Sequence, residues 1–280
     1  MTRRALVVGA SGFLGRSVVD RLREDGVETR GTYRSNRCDG ATCRFDLFAD
    51  DPTRLPFDGC DAVVFTAHVE RTDHDRDAFV DRVERLLAAC GDRLFVYVSS
   101  AGVFDGDAGR YLESDEPTPK SKYGRRLRAF ERRIADRFDR HCVVRPDYLF
   151  GYSRGRLDKR LSHTRERVLA GETVAYFDDM YKSPAAVTEV AAAVAAAVTG
   201  DLRGLLHVPS PRTTAFAFHR AGMAALGLPY RRVVPESMPD DPTLHRDSSL
   251  RSERFVEEVG FQPRSVWQAI RPQVDPPATG

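Results

Sequence analysis

Two hydroxyl-bearing side chains stand where they could take part in proton transfer. Ser100 follows the apolar run Leu94 to Val98, and Tyr123 opens a helical pattern further along the chain. A hydroxyl at the carboxyl end of a buried strand lies where the cleft of a parallel sheet receives its ligand. A phenol at the start of the next helix could act there as a general acid. The structural alternative is that Ser100 is a turn residue and Tyr123 a packing residue.

A glycine-rich turn lies near the start of the chain, in Val7-Val8-Gly9-Ala10-Ser11-Gly12-Phe13-Leu14-Gly15. It runs from an apolar strand straight into a helix, which is the context that a dinucleotide-binding loop requires. The first glycine permits the tight turn, the second lets a pyrophosphate approach, and the third lets the helix pack on the strand. We therefore expect cofactor contacts from Gly9, Ser11, Gly12, Phe13, Leu14 and Gly15.

The choice of cofactor is predicted from the end of the second strand, which reads Gly31-Thr32-Tyr33-Arg34-Ser35-Asn36-Arg37. A carboxylate there would bind the ribose 2′-hydroxyl of NAD, whereas a basic side chain suits the 2′-phosphate of NADP. No carboxylate is present, and Arg34 is well placed for a phosphate, with Arg37 as a second candidate. The sequence therefore favours NADP(H) over NAD. Asp46 and Leu47, after a third short strand, would suit the adenine edge.

The composition sets the class of protein. The chain has 280 residues, 41% of them apolar, so it can bury a full core. Its 43 basic and 41 acidic residues leave a net charge of only +2, which gives no reason to expect a nucleic-acid or membrane partner. The five cysteines form no CxxC pair and the seven histidines have no ligand spacing, so we expect reduced thiols, a cytoplasmic protein and no metal site.

The first 150 residues alternate strand and helix patterns. Apolar runs predict buried strands at Ala5 to Val8, Ala62 to Phe65, Leu94 to Val98 and Cys142 to Val144, with a weaker strand at Glu28 to Tyr33. Helical stripes lie between them and stop near Gly26 and Gly91. This order predicts an α/β fold, a Rossmann-type doubly wound parallel sheet.

After Gly151 the order of predicted strands and helices changes. Helical patterns (Leu157 to Ala170, Ala185 to Val198, Thr214 to Leu226, Arg251 to Val259 and Ser265 to Ile270) alternate with short strands at Thr173 to Phe177 and Leu205 to Val208. A loop is expected from Pro229 to Pro242. We predict an NADP(H)-binding domain over residues 1–150, a smaller substrate-binding lobe over 151–272 that is interleaved with it, and a disordered tail over 273–280.

Several motifs together resemble the extended short-chain dehydrogenase/reductase superfamily, most closely its dTDP-4-dehydrorhamnose reductases. They span nearly the whole chain: the glycine turn, Tyr97 to Gly106 (YVSSAGVFDG), Tyr111 to Pro119 before Tyr123-Gly124, Arg145 to Gly151 (RPDYLFG), Ser183 to Val187 and Gly204 to Val208. The resemblance implies that Ser100 binds the substrate carbonyl while Tyr123 donates a proton as the nicotinamide delivers hydride. It further implies cofactor contacts at Ala67, Tyr123 and Pro146, and substrate contacts at Ser100, Val103, Phe104 and Tyr148.

The catalytic part of this pattern is incomplete. The family's active Tyr is normally followed four residues later by Lys, and here that position is Leu127. Lowering a phenol pKa from near 10 to about 7 requires about 4 kcal/mol, much of which that Lys supplies. Arg126 is the substitute we assign to the catalytic set, because residues three apart share a helix face; surface roles for Arg126, Lys120 and Lys122 are the alternative. Phe79 also replaces an Asn that many members carry.

These features support a leading hypothesis and two alternatives. The first is NADPH-dependent reduction of a keto group on a nucleotide-activated 4-keto-6-deoxy sugar, by a monomer or homodimer. The second is a catalytically weakened NADP(H)-binding regulatory or structural subunit of the same fold, suggested by Leu127 and Phe79. The third, an epimerase or dehydratase that retains NAD, is disfavoured by Arg34.

Overall fold

The computed structural model describes residues 3–200 and 202–270. Its first half alternates strands and helices as the apolar periodicity predicts. The strands are β1 (Arg4–Val8), β2 (Glu28–Tyr33), β3 (Cys43–Arg44), β4 (Ala62–Phe65), β5 (Leu94–Val98) and β6 (His141–Arg145). The helices are α1 (Phe13–Glu24), α2 (Arg76–Cys90) and α3 (Lys122–Arg137), and short 3₁₀ turns lie at Pro52–Arg54 and Ala101–Val103.

The second half contains short strands and five helices within the described residues. The strands are β7 (Leu149–Phe150), β8 (Tyr152–Ser153), β9 (Arg156–Leu157), β10 (Val174–Phe177), β11 (Tyr181–Lys182), β12 (Ala185–Ala186), β13 (Gly204–His207), β14 (Thr213–Thr214) and β15 (Val233–Glu236). The helices are α4 (Lys159–Leu169), α5 (Val187–Thr199), α6 (Ala215–Ala225), α7 (Phe255–Val259) and α8 (Val266–Ile270).

The prediction of an uninterrupted loop from Pro229 to Pro242 was wrong. Strand β15 lies inside it and pairs in parallel with β10, with Val174 opposite Val233. Pro235 is tolerated because this is a two-stranded sheet with free edges, where a missing N–H can face away from the partner strand. The predicted tail lies outside the described residues.

The central sheet has seven parallel strands in the order β13-β6-β5-β4-β1-β2-β3. The order reverses between β1 and β4, which confirms the doubly wound fold predicted from the sequence. Neighbouring strands end almost level, because Val8 pairs with Phe65 and Phe65 pairs with Tyr97. Ligands of such sheets bind in the crevice beyond these carboxyl ends.

Helices cover both faces of the sheet, which is why its strands are apolar on both sides. Helices α1 and α5 pack on one face, and α2 and α3 pack on the other. The Ala/Val-rich α5 is buried along most of its length, so the longest apolar run of the sequence belongs to the core. Within the described residues, no helix is long and apolar enough to cross a membrane.

A third apolar cluster forms the smaller lobe, built on α4, α6, α8 and the β10/β15 pair. The chain is interleaved between the two parts. After β12, helix α5 returns to the main sheet, and β13 joins that sheet beside β6. The lobe therefore faces the carboxyl ends of the strands and closes the crevice from the other side.

Candidate active site

A cavity of about 1130 Å³ lies at the carboxyl ends of the central strands. Pockets for one small ligand are typically ~300–1,000 Å³, so this cavity has room for a dinucleotide and part of a second ligand. Its wall combines the turn after β1, the ends of β2 and β3, the loops after β4, β5 and β6, and the segment 153–160. More Lys and Arg than Asp side chains line it, which favours anionic ligands.

The glycine turn forms one end of the cavity. Gly9 has φ +89°, and a Cβ there would lie 2.8 Å from the backbone nitrogen of Ala67. A Cβ on Gly15 would lie 2.1 Å from the carbonyl oxygen of Gly9, so only glycine lets α1 pack this closely on the turn. Helix α1 has Gly12 as its N-cap, so no side chain caps it, and the first amides of a helix have no intrahelical acceptor. This end fits a phosphate group.

Most of the residues expected to hold the cofactor line the cavity. They are Gly9, Ser11, Gly12, Phe13, Leu14, Arg34, Asp46, Leu47, Ala67, Tyr123 and Pro146. Gly15 lies behind the turn, so its part is in packing and not in direct contact. Arg37, the second candidate for a phosphate, lies outside this wall, while the exposed Arg34 lies in it.

The two hydroxyl groups predicted to react face the same cavity. Ser100 starts the 3₁₀ turn after β5, where its Oγ accepts a hydrogen bond from the amide of Gly102 at 3.2 Å. A Cβ on Gly102 would lie 3.1 Å from the Tyr123 ring, and a Cβ on Gly124 would lie 2.1 Å from the carbonyl oxygen of Gly102. These glycines bring the start of α3 against the turn that carries Ser100. Ser121 fixes that start by accepting a hydrogen bond from the Gly124 amide at 3.0 Å.

Burial dominates the electrostatics of Tyr123. It raises the phenol pKa to about 12, and the nearby Glu70 carboxyl acts in the same direction. The Ser100 hydroxyl and the guanidinium groups of Arg71 and Arg160 act in the opposite direction. Tyr123 is therefore fully protonated at neutral pH, which is the state that a proton donor needs.

A buried ion pair connects α3 and β6 next to the turn that carries Ser100. Arg145 at the end of β6 contacts Glu131 of α3 at 2.7 and 2.9 Å, and Ser99 donates to the same carboxylate at 2.6 Å. All three side chains are buried. Removing one partner of such a pair leaves an uncompensated charge, so the three residues fix α3, β5 and β6 relative to one another.

Arg126 does not occupy the place of the missing Lys. Its guanidinium is buried and donates to the backbone carbonyls of Glu70, Thr72 and His74, and it does not line the cavity. Both expectations for this side chain were wrong: it is neither in the catalytic set nor on the surface. Leu127 is buried in the core, as is Phe79, whose ring lies 5.5 Å from the Arg126 guanidinium.

Val103 and Phe104 were also assigned wrongly, because the structure buries both away from the cavity. Each is fully buried in the core. The Phe104 ring stacks on Tyr111 with centroids 4.2 Å apart, and the Arg145 guanidinium lies 5.3 Å from it. These two side chains therefore pack the turn that carries Ser100, and neither lines the cavity.

The other end of the cavity is built around Tyr148, in the segment implied for the sugar site. The Arg160 guanidinium lies 4.1 Å from its ring centroid, and the Lys182 ammonium 5.3 Å from it. Lys182 is buried and donates to Ser248 at 2.7 Å, and Ser248 donates to Asp147 at 3.2 Å. Burial raises the pKa of Asp147, and the Lys182 charge counteracts it.

Sequence reasoning missed Arg160, Lys182 and Ser248 as lining residues. They come from three separate segments, and none belongs to one of the quoted motifs, whereas Asp147 lies in the Arg145 to Gly151 motif. His68, which follows β4, also lines the cavity, and burial lowers its pKa. In the described part of the chain, no group of three or more His, Cys, Asp or Glu side chains could hold a metal ion.

Comparison with known families gives one match over almost the entire chain. The family model described as the RmlD substrate binding domain matches residues 3–276. Its span covers the glycine turn, the Ser100 and Tyr123 region and the smaller lobe alike.

Three curated relatives share just under 30% of their residues with the chain. The probable low-salt glycan biosynthesis reductase Agl14 of Haloferax volcanii is 29% identical, over 74% of each chain. The dTDP-4-keto-6-deoxy-D-glucose reductase of Streptomyces niveus is 28% identical over 99% of this chain and 98% of its own length. The methionine adenosyltransferase 2 subunit beta of Danio rerio is 28% identical over 83% of this chain and 77% of its own.

Solved structures agree on the fold. The dTDP-4-dehydrorhamnose reductase of Bacillus anthracis str. Ames, in complex with NADP, superposes with a TM-score of 0.79 at 18% identity, covering 96% of this chain and 98% of that one. MoeE5 in complex with UDP-glucuronic acid and NAD gives a TM-score of 0.79 at 20% identity, covering 96% and 97%. At these identities the likeness shows the fold alone.

Proposed function

Because this chain belongs to the RmlD substrate binding domain family, we propose that it is an NADPH-dependent reductase of a nucleotide-activated 4-keto-6-deoxy sugar. The observation that carries the proposal is that Ser100 and Tyr123 face the same cavity as the glycine turn. The full-length similarity to a reductase that is named for a 4-keto-6-deoxy sugar nucleotide supports the substrate class.

Each end of the cavity has its own part in this reaction. The glycine turn and the start of α1 hold the dinucleotide phosphates, and bound NADPH would supply the hydride. The Ser100 hydroxyl donates a hydrogen bond to the keto oxygen, and Tyr123 gives its proton to that oxygen as the alcohol forms. Tyr148, Arg160 and Lys182 form the end that receives the sugar nucleotide, whose diphosphate suits two cations.

The preference for NADP(H) over NAD is part of the proposal. It rests on Arg34, which lines the cavity at the end of β2. A hydrogen bond to a charged group contributes about 1.5–3 kcal/mol, so Arg34→Ala should weaken NADPH binding by about 10- to 100-fold and leave NADH binding unchanged. Arg37→Ala is the matched control, because Arg37 is an exposed arginine outside the cavity wall. Equal losses for both cofactors would contradict this assignment.

The reaction is tested by following NADPH absorbance under single-turnover conditions with a panel of nucleotide 4-keto-6-deoxy sugars. The natural protein and Leu127→Lys are compared after both have been shown to bind NADPH. We expect the natural protein to oxidise NADPH with at least one substrate, and Tyr123→Phe to slow that step by about 10²- to 10⁴-fold. Binding of NADPH without turnover of any keto sugar would overturn the proposal.

A second candidate function has its own observation. Leu127 removes the usual cation, and the chain is 28% identical to a methionine adenosyltransferase beta subunit. The alternative is an NADP(H)-binding regulatory or structural subunit of the same fold. Turnover by Leu127→Lys alone, with none by the natural protein, would favour this alternative.

Location and assembly complete the proposal. A cytoplasmic protein fits the five free thiols, since disulfides are rare in reducing compartments. We expect a monomer or a homodimer, which sedimentation at two protein concentrations would distinguish.

A further inference from the structure

One guanidinium faces the Tyr123 ring from a loop outside α3. Arg71 follows β4, and its guanidinium carbon lies 4.6 Å from the Tyr123 ring centroid. It lines the cavity and is exposed, so its charge lies on the ligand side of the ring. The other nearby cation, Arg160, stacks on Tyr148 instead, at 4.1 Å.

Arg126 fixes the shape of the loop that carries Arg71. It donates to the carbonyls of Glu70, Thr72 and His74, at alternate positions. The intervening residues Arg71 and Asp73 both line the cavity. One buried guanidinium thus binds three carbonyls of the segment that presents Arg71.

The surroundings of Arg126 also include Phe79 and Leu127, the two positions at which the chain departs from the family pattern. Arg126 is held between the loop and the Phe79 ring, 5.5 Å away, while Leu127 beside it is buried in the core. An Asn at position 79 would not offer this aromatic face to a guanidinium. Phe79 and Leu127 are therefore compatible with a cation that approaches the phenol from the loop after β4.

We propose that Arg71 replaces the missing lysine as the cation beside Tyr123, and that Arg126 is the positioning residue that holds Arg71 there. The inference rests on the proposed reductase function. Arg71 acts through Tyr123, so it too is a positioning residue and not a proton donor. Its charge stabilises the phenolate that remains after Tyr123 has given its proton to the substrate oxygen.

The Tyr123 phenol is influenced by Glu70 and Arg71 from the loop, Ser100 from the turn after β5 and Arg160 from α4, and it also interacts with the buried phenol of Tyr97 on β5. Burial and Glu70 raise the Tyr123 pKa, whereas Ser100, Arg71 and Arg160 lower it. Loss of the Arg71 charge must therefore raise the pKa further. Proton transfer to the substrate then becomes less favourable, while the cofactor site is unchanged.

The first experiment measures the single-turnover rate of NADPH oxidation against pH. We expect Arg71→Ala to slow the step by about 10- to 100-fold, a part of the usual contribution of general acid catalysis. Arg71→Lys, which keeps the charge, should retain most of the rate. Arg76→Ala, an exposed arginine at the start of α2 outside the cavity wall, is the matched control. NADPH affinity should stay the same in all of these variants.

The second experiment restores the charge at the family's position. Leu127→Lys should rescue the Arg71→Ala variant, and the two substitutions should be strongly non-additive. A loop residue with a merely structural role would not be rescued in this way. Position 127 is buried, so folding of the double variant is checked by circular dichroism; if it does not fold, the comparison of Arg71→Lys with Arg71→Gln decides.

A third measurement needs no substrate. With 3-fluorotyrosine incorporated, the ¹⁹F resonance of position 123, assigned by its absence in Tyr123→Phe, reports ionisation of the phenol. We expect Arg71→Ala to raise that pKa relative to the natural protein and Arg76→Ala to leave it unchanged. If no variant turns over but this shift is found, the proposed substrate is wrong and the role of Arg71 stands. An unchanged pKa, or an unchanged turnover rate in Arg71→Ala, overturns the inference.

Discussion

Helices α1 and α3 start in the same way and serve different chemistry. Each carries a glycine in its first turn that lies against the carbonyl oxygen of an earlier glycine, Gly15 on Gly9 and Gly124 on Gly102. In both places an added Cβ would lie 2.1 Å from that oxygen. The starts differ in their caps: no side chain caps α1 in the described structure, whereas Ser121 caps α3.

This difference separates backbone recognition from side-chain chemistry. The first amides of α1 lack internal acceptors and point at the cavity, so they can bind phosphate oxygens. In α3 the Ser121 hydroxyl already accepts from the Gly124 amide, so this helix start is closed to an anion at that amide. It holds the Tyr123 phenol instead. Close helix packing on a glycine turn therefore does not by itself indicate a phosphate site. The helix start can bind a phosphate only where no side chain already accepts a hydrogen bond from its first amides.

The largest expected effects come from filling the two glycine contacts. Gly15→Ala should abolish measurable NADPH binding, with at least a 100-fold rise in Kd, about 2.7 kcal/mol, because the helix must move off the turn. Gly124→Ala should leave NADPH affinity nearly unchanged and slow turnover by about 10²-fold, since a displacement of about 1 Å of a reacting group costs that much. Cofactor fluorescence and single-turnover rates separate the two results.

Exposed substitutions on the same helices are the controls. Glu24→Ala on α1 and Arg132→Ala on α3 should change neither quantity. If Gly124→Ala reduced NADPH affinity as strongly as Gly15→Ala, the two helix starts would not be functionally distinct. Thermal unfolding of both glycine variants shows whether the fold survives the added methyl group.

The glycine turn with the start of α1 (the phosphate end) and the region of Ser100 and Tyr123 (the reaction end) also differ in how well the sequence predicts them. At the phosphate end the strand, the turn and the helix are consecutive in the chain, so the positions of Gly9, Gly12 and Gly15 predict both the turn and the role of each glycine. The strands at Ala62–Phe65 and Leu94–Val98 have the bounds expected from their apolar runs, and the weaker strand predicted at Glu28–Tyr33 has the expected bounds as well. Buried parallel strands with helices on both faces leave a strong hydrophobic signal in the sequence.

The reaction end depends on contacts between distant segments. Ser100 and Tyr123 could be predicted because each follows or starts a periodic element. Arg126 could not be placed from helix spacing, because the carbonyls that bind it belong to the loop after β4. Phe104 lies in a motif that suggested a ligand, yet stacking on Tyr111 places it in the core. Side-chain direction in irregular segments is set by tertiary packing, which periodicity does not report.

A buried carboxyl at the reaction end gives the next largest effect, through pH. Burial raises the pKa of Glu70 from 4.5 to about 7, against the opposing hydrogen bond from Tyr97 and the charge of Arg71. A raised folded-state pKa contributes stability that is complete below the unfolded value and is lost as pH rises through the folded value. This contribution is about 3 kcal/mol, lost between about pH 4.5 and pH 8.

Glu70→Gln should remove this dependence, because the amide oxygen can still accept from Tyr97 and carries no charge. Urea unfolding of both proteins from pH 5 to pH 8 measures the difference, which should grow in favour of the variant as pH rises. Glu116→Gln is the control: Arg128 holds the pKa of this exposed carboxyl below its ordinary value, so its contribution changes only in more acidic solution. Parallel pH curves for the natural protein and Glu70→Gln would contradict the assignment.

The smallest expected effect tests the cap that distinguishes the two helix starts. Ser121→Ala removes the hydroxyl that accepts from Gly124, and loss of such a cap typically costs about 1 kcal/mol of unfolding free energy. Turnover should fall by less than in Gly124→Ala, because the helix still packs on Gly102. NADPH affinity should change little, because the amides of α1 bind the phosphates and Tyr123, the cofactor contact expected on α3, is retained. Ser121→Asp, which keeps an acceptor at the cap, should restore stability. If the alanine variant weakened NADPH binding while keeping its turnover rate, the start of α3 would serve cofactor binding more than the position of the phenol, and its functional separation from α1 would fail.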